Sequence, residues 1–127
     1  MTMSIELPEN GRLVRVVFDT NVLISAATLG LQATYAFESI KHGQIYHSSS
    51  EAILNEVAKK LHEKFEFDPV ERERFLQYVR RYSTLVVPQT IVVPALRDPI
   101  DLHILATAVA AKAHLIITTD SDLLVLK

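Results

Sequence analysis

The hydrophobic pattern of the chain predicts short strands that alternate with helices. Strands are predicted where β-branched and apolar residues form short, nearly continuous runs, at residues 13–18, 44–47, 85–87 and 114–118. Helices are predicted at residues 21–29, 32–42, 51–65 and 70–81, and from Asp98 onward. The clearest helix is 51–65, where apolar residues recur at i, i+3, i+4 and i+8. This alternation indicates an α/β fold, with a parallel sheet of four to five strands flanked by helices.

Local signals mark several helix starts. Asp68-Pro69 is followed by Glu71, which predicts an acidic cap, a proline in the first turn and a capping box. Asp98-Pro99 opens the last long helix by the same logic. For the helix that follows the first strand, Thr20 or Asn21 is the predicted cap.

Length and composition indicate one globular domain. The chain has 127 residues, of which 49 % are apolar and 22 % are charged. Residues 1–12 are polar and contain a turn signal, so they are predicted to be a flexible lead-in before a domain at 13–127.

Several classes of protein are disfavoured. The chain has no cysteine, which removes disulfides and thiolate metal sites and fits the cytoplasm. No apolar run approaches the ~20 residues that span a membrane, and the N-terminus lacks a signal-peptide pattern. The net charge of −2 gives no overall attraction to nucleic acid, so such binding would need a local patch or a bound metal.

The acidic residues carry the functional signal. Asp19 lies between two apolar runs, where a lone carboxylate is costly unless it is paired or bound to a cation. After Glu73 the only further acidic residues fall in two close pairs, Asp98 with Asp101 and Asp120 with Asp122.

Asp19 and Asp120 each come at the end of a predicted strand, and Asp101 lies in the first turn of a helix. Ligands of parallel sheets bind at the carboxyl ends of strands, so these acids are expected at one rim. Carboxylate oxygens there select Mg²⁺ or Mn²⁺, metals that serve phosphoryl chemistry.

Three motifs stand out along the chain: Phe18-Asp19-Thr20-Asn21-Val22-Leu23, Arg97-Asp98-Pro99-Ile100-Asp101 and Thr118-Thr119-Asp120-Ser121-Asp122-Leu123-Leu124. They resemble those of PIN-domain nucleases, in particular the toxins of type II toxin–antitoxin pairs similar to VapC. The resemblance implies four catalytic, metal-binding acids: Asp19, Glu56, Asp101 and Asp120. It also implies a Mg²⁺- or Mn²⁺-dependent endoribonuclease, an RNA substrate, a cognate antitoxin and frequent homodimers. Asn21 and Thr119 match positions that support the acids.

Structural explanations compete with these roles. Asp19 and Asp98 could each be helix caps, and Asp101 is favoured at its position by the helix backbone alone. Glu56 without the resemblance reads as part of a solvated face, and Asp122 as a support for Asp120. A PIN-like module that binds RNA or a partner without cleaving it is the alternative function. The family usually adds a strand after the last motif, for which this sequence leaves little room, so two alternatives stay open: the sheet lacks an edge strand, or the chain has been trimmed.

Overall fold

The computed structural model describes residues 2–4, 13–28, 37–88 and 99–118, with the backbone alone at 2–4 and 99–101. The strands are β1 (Thr2–Ser4), β2 (Val14–Phe18), β3 (Ile45–Ser49), β4 (Thr84–Leu85) and β5 (Leu115–Ile117). The helices are α1 (Thr20–Ala27), α2 (described at 37–41), α3 (Glu51–Phe65), α4 (Pro69–Arg81) and α5 (Pro99–Ala111).

The five strands form one sheet in the order β1-β5-β2-β3-β4. Strands β5, β2, β3 and β4 are parallel, which confirms the predicted α/β fold, while β1 pairs antiparallel with β5. β2 is central and is the most buried strand, with Val16, Val17 and Phe18 each at most 2 % exposed. The strand that leads to Asp19 is therefore enclosed on both faces.

The N-terminal prediction needs a correction. Thr2–Ser4 were predicted to belong to a flexible lead-in, but they form β1 and pair with Leu115–Ile117. β1 lies at the edge of the sheet, next to β5. A run of three residues is too short for an alternating pattern to reveal it, and pairing with β5 supplies the order instead. The sequence also predicts a continuation of the third strand at 91–93 and a short helical turn at 121–126, and both lie outside the described residues.

The helices lie on both faces of the sheet. Phe18 and His47 point to one face, where they contact Phe37 of α2, and Phe37 in turn stacks on Tyr78 of α4. Because side chains alternate along a strand, neighbouring residues point to the other face, where α5 packs on β2 and β3. Among the residues that the structure describes, no helix is long and apolar enough to span a membrane.

His47 is a polar side chain inside this core, 1 % exposed. Its Nε2 accepts a hydrogen bond from the backbone N–H of Phe18 (3.3 Å), and its Nδ1 lies 2.6 Å from Ser83 Oγ. Nδ1 therefore carries the proton of the neutral ring and donates a hydrogen bond to Ser83 Oγ. Burial lowers the pKa of His47 to about 3, because a charged imidazole would lose its hydration.

This burial predicts a pH dependence of stability. The pKa of His47 is about 3 in the folded chain, whereas an exposed histidine has its ordinary pKa of 6.5. Between pH 6.5 and pH 3, therefore, only the unfolded chain takes up a proton at His47. The contribution of neutral His47 to the free energy of unfolding is fully present above pH 6.5 and is lost as the pH falls. Between pH 7.5 and pH 5, His47 should cost about 2 kcal/mol of unfolding free energy, measured by urea titration.

His47→Gln should lack this loss, although it lowers stability at neutral pH, where it disturbs the hydrogen bonds of the buried ring. His62→Gln, which changes an exposed histidine on α3, is the matched control and should keep the wild-type slope. Equal pH slopes for His47→Gln and wild type would contradict the assignment.

Candidate functional site

Asp19 lies directly between β2 and α1 and is 4 % exposed. Its Oδ1 accepts a hydrogen bond from the backbone N–H of Val22 (2.9 Å), so Asp19 is the N-cap of α1. The predicted caps, Thr20 and Asn21, are therefore wrong. Asp19 has the extended backbone (φ −72°, ψ 170°) that a cap requires, and its charge interacts favourably with the helix N-terminus.

The second carboxylate oxygen of Asp19 accepts a hydrogen bond from the hydroxyl of Thr118. Thr118 directly follows β5 and is fully buried. The register Phe18↔Ile117 places the residues after these two strands side by side, and Asp19 N–H also bonds the Ile117 carbonyl (3.0 Å). Two donors on two different oxygens hold the carboxylate in one orientation.

Sequence reasoning missed Thr118 and singled out its neighbour Thr119, which lies outside the described residues. The signal that could have identified Thr118 is strand register. If β2 and β5 are neighbours in parallel, the residues that follow both strands meet. That pairing is a property of the fold, and no local pattern encodes it.

Glu56 lies on α3, half-buried between the core residues of that helix. Within the described part of the chain it forms no hydrogen bond or ion pair. The other two glutamates of α3 have different surroundings: Glu51 forms an ion pair with Arg80 (3.2 Å), and Glu63 is exposed to solvent. A half-buried carboxylate without a partner is more available to a cation than either of these.

The other predicted residues are only partly placed. Asp101 is the third residue of α5, at the position expected from sequence, but its side chain is not described. Asn21 is exposed on the first turn of α1, and its supporting role stays a prediction. Four predicted residues lie outside the described ranges: Asp98, Thr119, Asp120 and Asp122. Among the described side chains no three acids or histidines converge on a metal position.

Several hydroxyl groups lie at the carboxyl ends of β2, β3 and β5. Thr20 is 2 % exposed and its hydroxyl has no hydrogen-bond partner within the described residues. Ser50 caps α3 through Ile53 N–H (3.4 Å) and lies 2.9 Å from Thr107 on α5. The side-chain atoms at this end of the sheet that could bind a metal are therefore mainly oxygens, and the chain has no cysteine to supply a sulfur ligand.

In parallel α/β domains the functional site lies at the carboxyl ends of the strands, and the buried Asp19 lies at the carboxyl end of the central strand here. The family model described as PIN domain matches residues 15–122, and the chain belongs to the PIN-domain family. Proteins of this family are generally nucleases. The match includes all four acids predicted from sequence. No curated protein matches the chain significantly.

The two bonds to Asp19 predict its contribution to stability. Asp19→Ala removes the cap and the acceptor of the Thr118 hydroxyl, whereas Asp19→Asn keeps the capping oxygen and places an NH2 group that can donate to the Thr118 oxygen. In metal-free buffer, Asp19→Ala should be less stable than Asp19→Asn by about 1 kcal/mol or more in urea unfolding.

Asn21→Ala is the control, because Asn21 lies in the same helix turn but is exposed and does not cap it. It should change the unfolding free energy by about 0.5 kcal/mol or less. Equal stability of Asp19→Ala and Asp19→Asn would show that the two hydrogen bonds do not hold the site.

Proposed function

We propose that this chain is a metal-dependent endoribonuclease that hydrolyses phosphodiester bonds, and that it is the toxin of a type II toxin–antitoxin pair. The observation that carries the proposal is the buried carboxylate of Asp19, held by Val22 N–H and the Thr118 hydroxyl at the end of the central strand. A helix cap alone does not require an acid, since serine or asparagine caps as well. Burying a charge at this position is explained by a cation that binds it.

The donor set fits Mg²⁺ or Mn²⁺. Asp19, Glu56, Asp101 and Asp120 would hold the ion, all of them through hard oxygen atoms. Two groups without a partner within the described residues support this fit: the half-buried carboxylate of Glu56 and the buried hydroxyl of Thr20. When bound, such a metal lowers the pKa of a water molecule and stabilises charge on the phosphate.

The chain itself contributes orientation. Val22 N–H and the Thr118 hydroxyl fix the plane of the Asp19 carboxylate before any ligand arrives. Preorganised groups need no rearrangement during the reaction, which favours catalysis. The acids also repel RNA phosphates in the absence of metal, so productive binding of RNA should depend on the cation.

The finer assignments rest on the sequence motifs. The order and spacing of the three motifs support a toxin similar to VapC, with RNA as its substrate and an antitoxin as its partner. A homodimer and a cytoplasmic location are proposed on the same ground. A small neighbouring gene for an antitoxin would support the toxin role independently of any activity assay.

Expression of the chain followed by sequencing of RNA ends tests the proposal. Wild type should produce new RNA ends at defined positions. Asp19→Asn and Glu56→Gln should reduce cleavage at least about a hundredfold, because each removes a carboxylate ligand without removing bulk. In vitro, a chelator should abolish cleavage and Mn²⁺ should restore it.

Glu63→Gln is the matched control, an exposed glutamate on the same helix, and should cleave like wild type. Full activity of Asp19→Asn would refute the mechanism. RNA binding by wild type without cleavage, in the presence of Mn²⁺, would favour the non-cleaving module instead.

A further inference from the structure

The helices that carry Glu56 and Asp101 are joined by a hydrogen bond between two buried hydroxyls. Ser50 Oγ, at the start of α3, lies 2.9 Å from Thr107 Oγ1, in the middle of α5. Both residues are 0 % exposed. We refer to this pair as the hydroxyl bridge.

Both hydroxyls have hydrogen-bond partners. Ser50 Oγ accepts from Ile53 N–H (3.4 Å) and from the Thr107 hydroxyl, which also lies 2.7 Å from the carbonyl oxygen of His103. Thr107 has a single hydroxyl proton, so its two acceptors, Ser50 Oγ and the His103 carbonyl, share it. A buried hydroxyl without a partner is costly, so α3 and α5 are favoured in the one arrangement that brings these two together.

Apolar core residues lie about one helical turn from the bridge along each of the two helices. Leu54 on α3 and Ile104 on α5 are at most 1 % exposed and belong to the same core. Apolar contacts are not directional and permit small rotations or shifts of one helix against the other. A hydrogen bond has a preferred distance and angle, so it specifies the register that apolar packing leaves open.

Each of the two helices that the bridge joins carries one predicted metal ligand. Glu56 follows Ser50 by six residues, and Asp101 precedes Thr107 by six, which is about 9 Å along each helix axis. We propose that Ser50 and Thr107 are positioning residues that set the distance between Glu56 and Asp101. This inference rests on the proposed function, since it concerns the same metal site.

Calorimetric titration of the full chain with Mn²⁺ tests the bridge. Thr107→Val removes the hydroxyl and keeps the branched shape. It should weaken Mn²⁺ binding about tenfold and lower kcat for RNA cleavage while KM for RNA stays unchanged, as expected when ligands are held less well. Thr107→Ser keeps the hydroxyl and should bind Mn²⁺ within about twofold of wild type.

Thr28→Val is a matched control. The Thr28 hydroxyl also bonds a carbonyl four residues earlier, that of Ile24 (2.9 Å), but within the described residues it bonds only carbonyls of its own helix. It should leave Mn²⁺ affinity unchanged. The double variant Ser50→Ala/Thr107→Val should bind Mn²⁺ no more weakly than the worse single variant. The reason is that each substitution already breaks the same bond, the one between Ser50 and Thr107.

Folded Thr107→Val with wild-type Mn²⁺ affinity would overturn the bridge and leave the proposed function standing. Wild type that neither binds Mn²⁺ nor cleaves RNA would overturn both. If Thr107→Val does not fold, Thr107→Ala removes the hydroxyl without adding a methyl group and carries the same test.

Discussion

The structure depends on the carboxylate of Asp19 at the junction of β2 and α1. One oxygen caps α1 and the other binds Thr118 at the end of β5, so a single side chain connects a helix and two strands. This position is 4 % exposed, where an unpaired charge would be costly. The same two bonds that make the buried charge tolerable also fix its direction. The structural role of Asp19 and the catalytic role proposed for it are therefore compatible, because the cap orients the acid.

The polar groups of the core are concentrated near the ends of β2, β3 and β5. Five polar residues of the core are at most 1 % exposed: His47, Ser49, Ser50, Thr107 and Thr118. Burying a polar side chain costs more hydration free energy than burying an apolar one. Most of these groups have hydrogen-bond partners: His47 bonds to Ser83 in the α4–β4 turn, and Ser50 bonds to Ile53 N–H and to Thr107 on α5. Ser49 is an exception among the described residues, since its hydroxyl has no partner. Directional bonds at this end of the sheet give it a fixed geometry that an apolar core would not specify.

The sequence predicted those features that local chemistry determines. The strands β2, β3 and β5 and the helix α3 follow from hydrophobic periodicity, and the capping box of Asp68 and Glu71 is present as predicted. The features it missed depend on long-range pairing. β1 exists because Thr2–Ser4 meet β5, and Thr118 reaches Asp19 because of the register between β5 and β2. The cap of α1 was misassigned because Asp19, Thr20 and Asn21 all have suitable side chains, and only the backbone geometry selects among them.

Anomalous diffraction from crystals soaked in Mn²⁺ tests the central claim most directly, since it locates the ion without reference to activity. The account predicts a strong peak within about 2.5 Å of an Asp19 carboxylate oxygen, with Glu56 among the surrounding ligands. Crystals of Asp19→Asn soaked in the same way should show a weakened peak or none. A wild-type structure with Mn²⁺ bound only elsewhere on the chain, and with Asp19 bonded to protein groups alone, would contradict it.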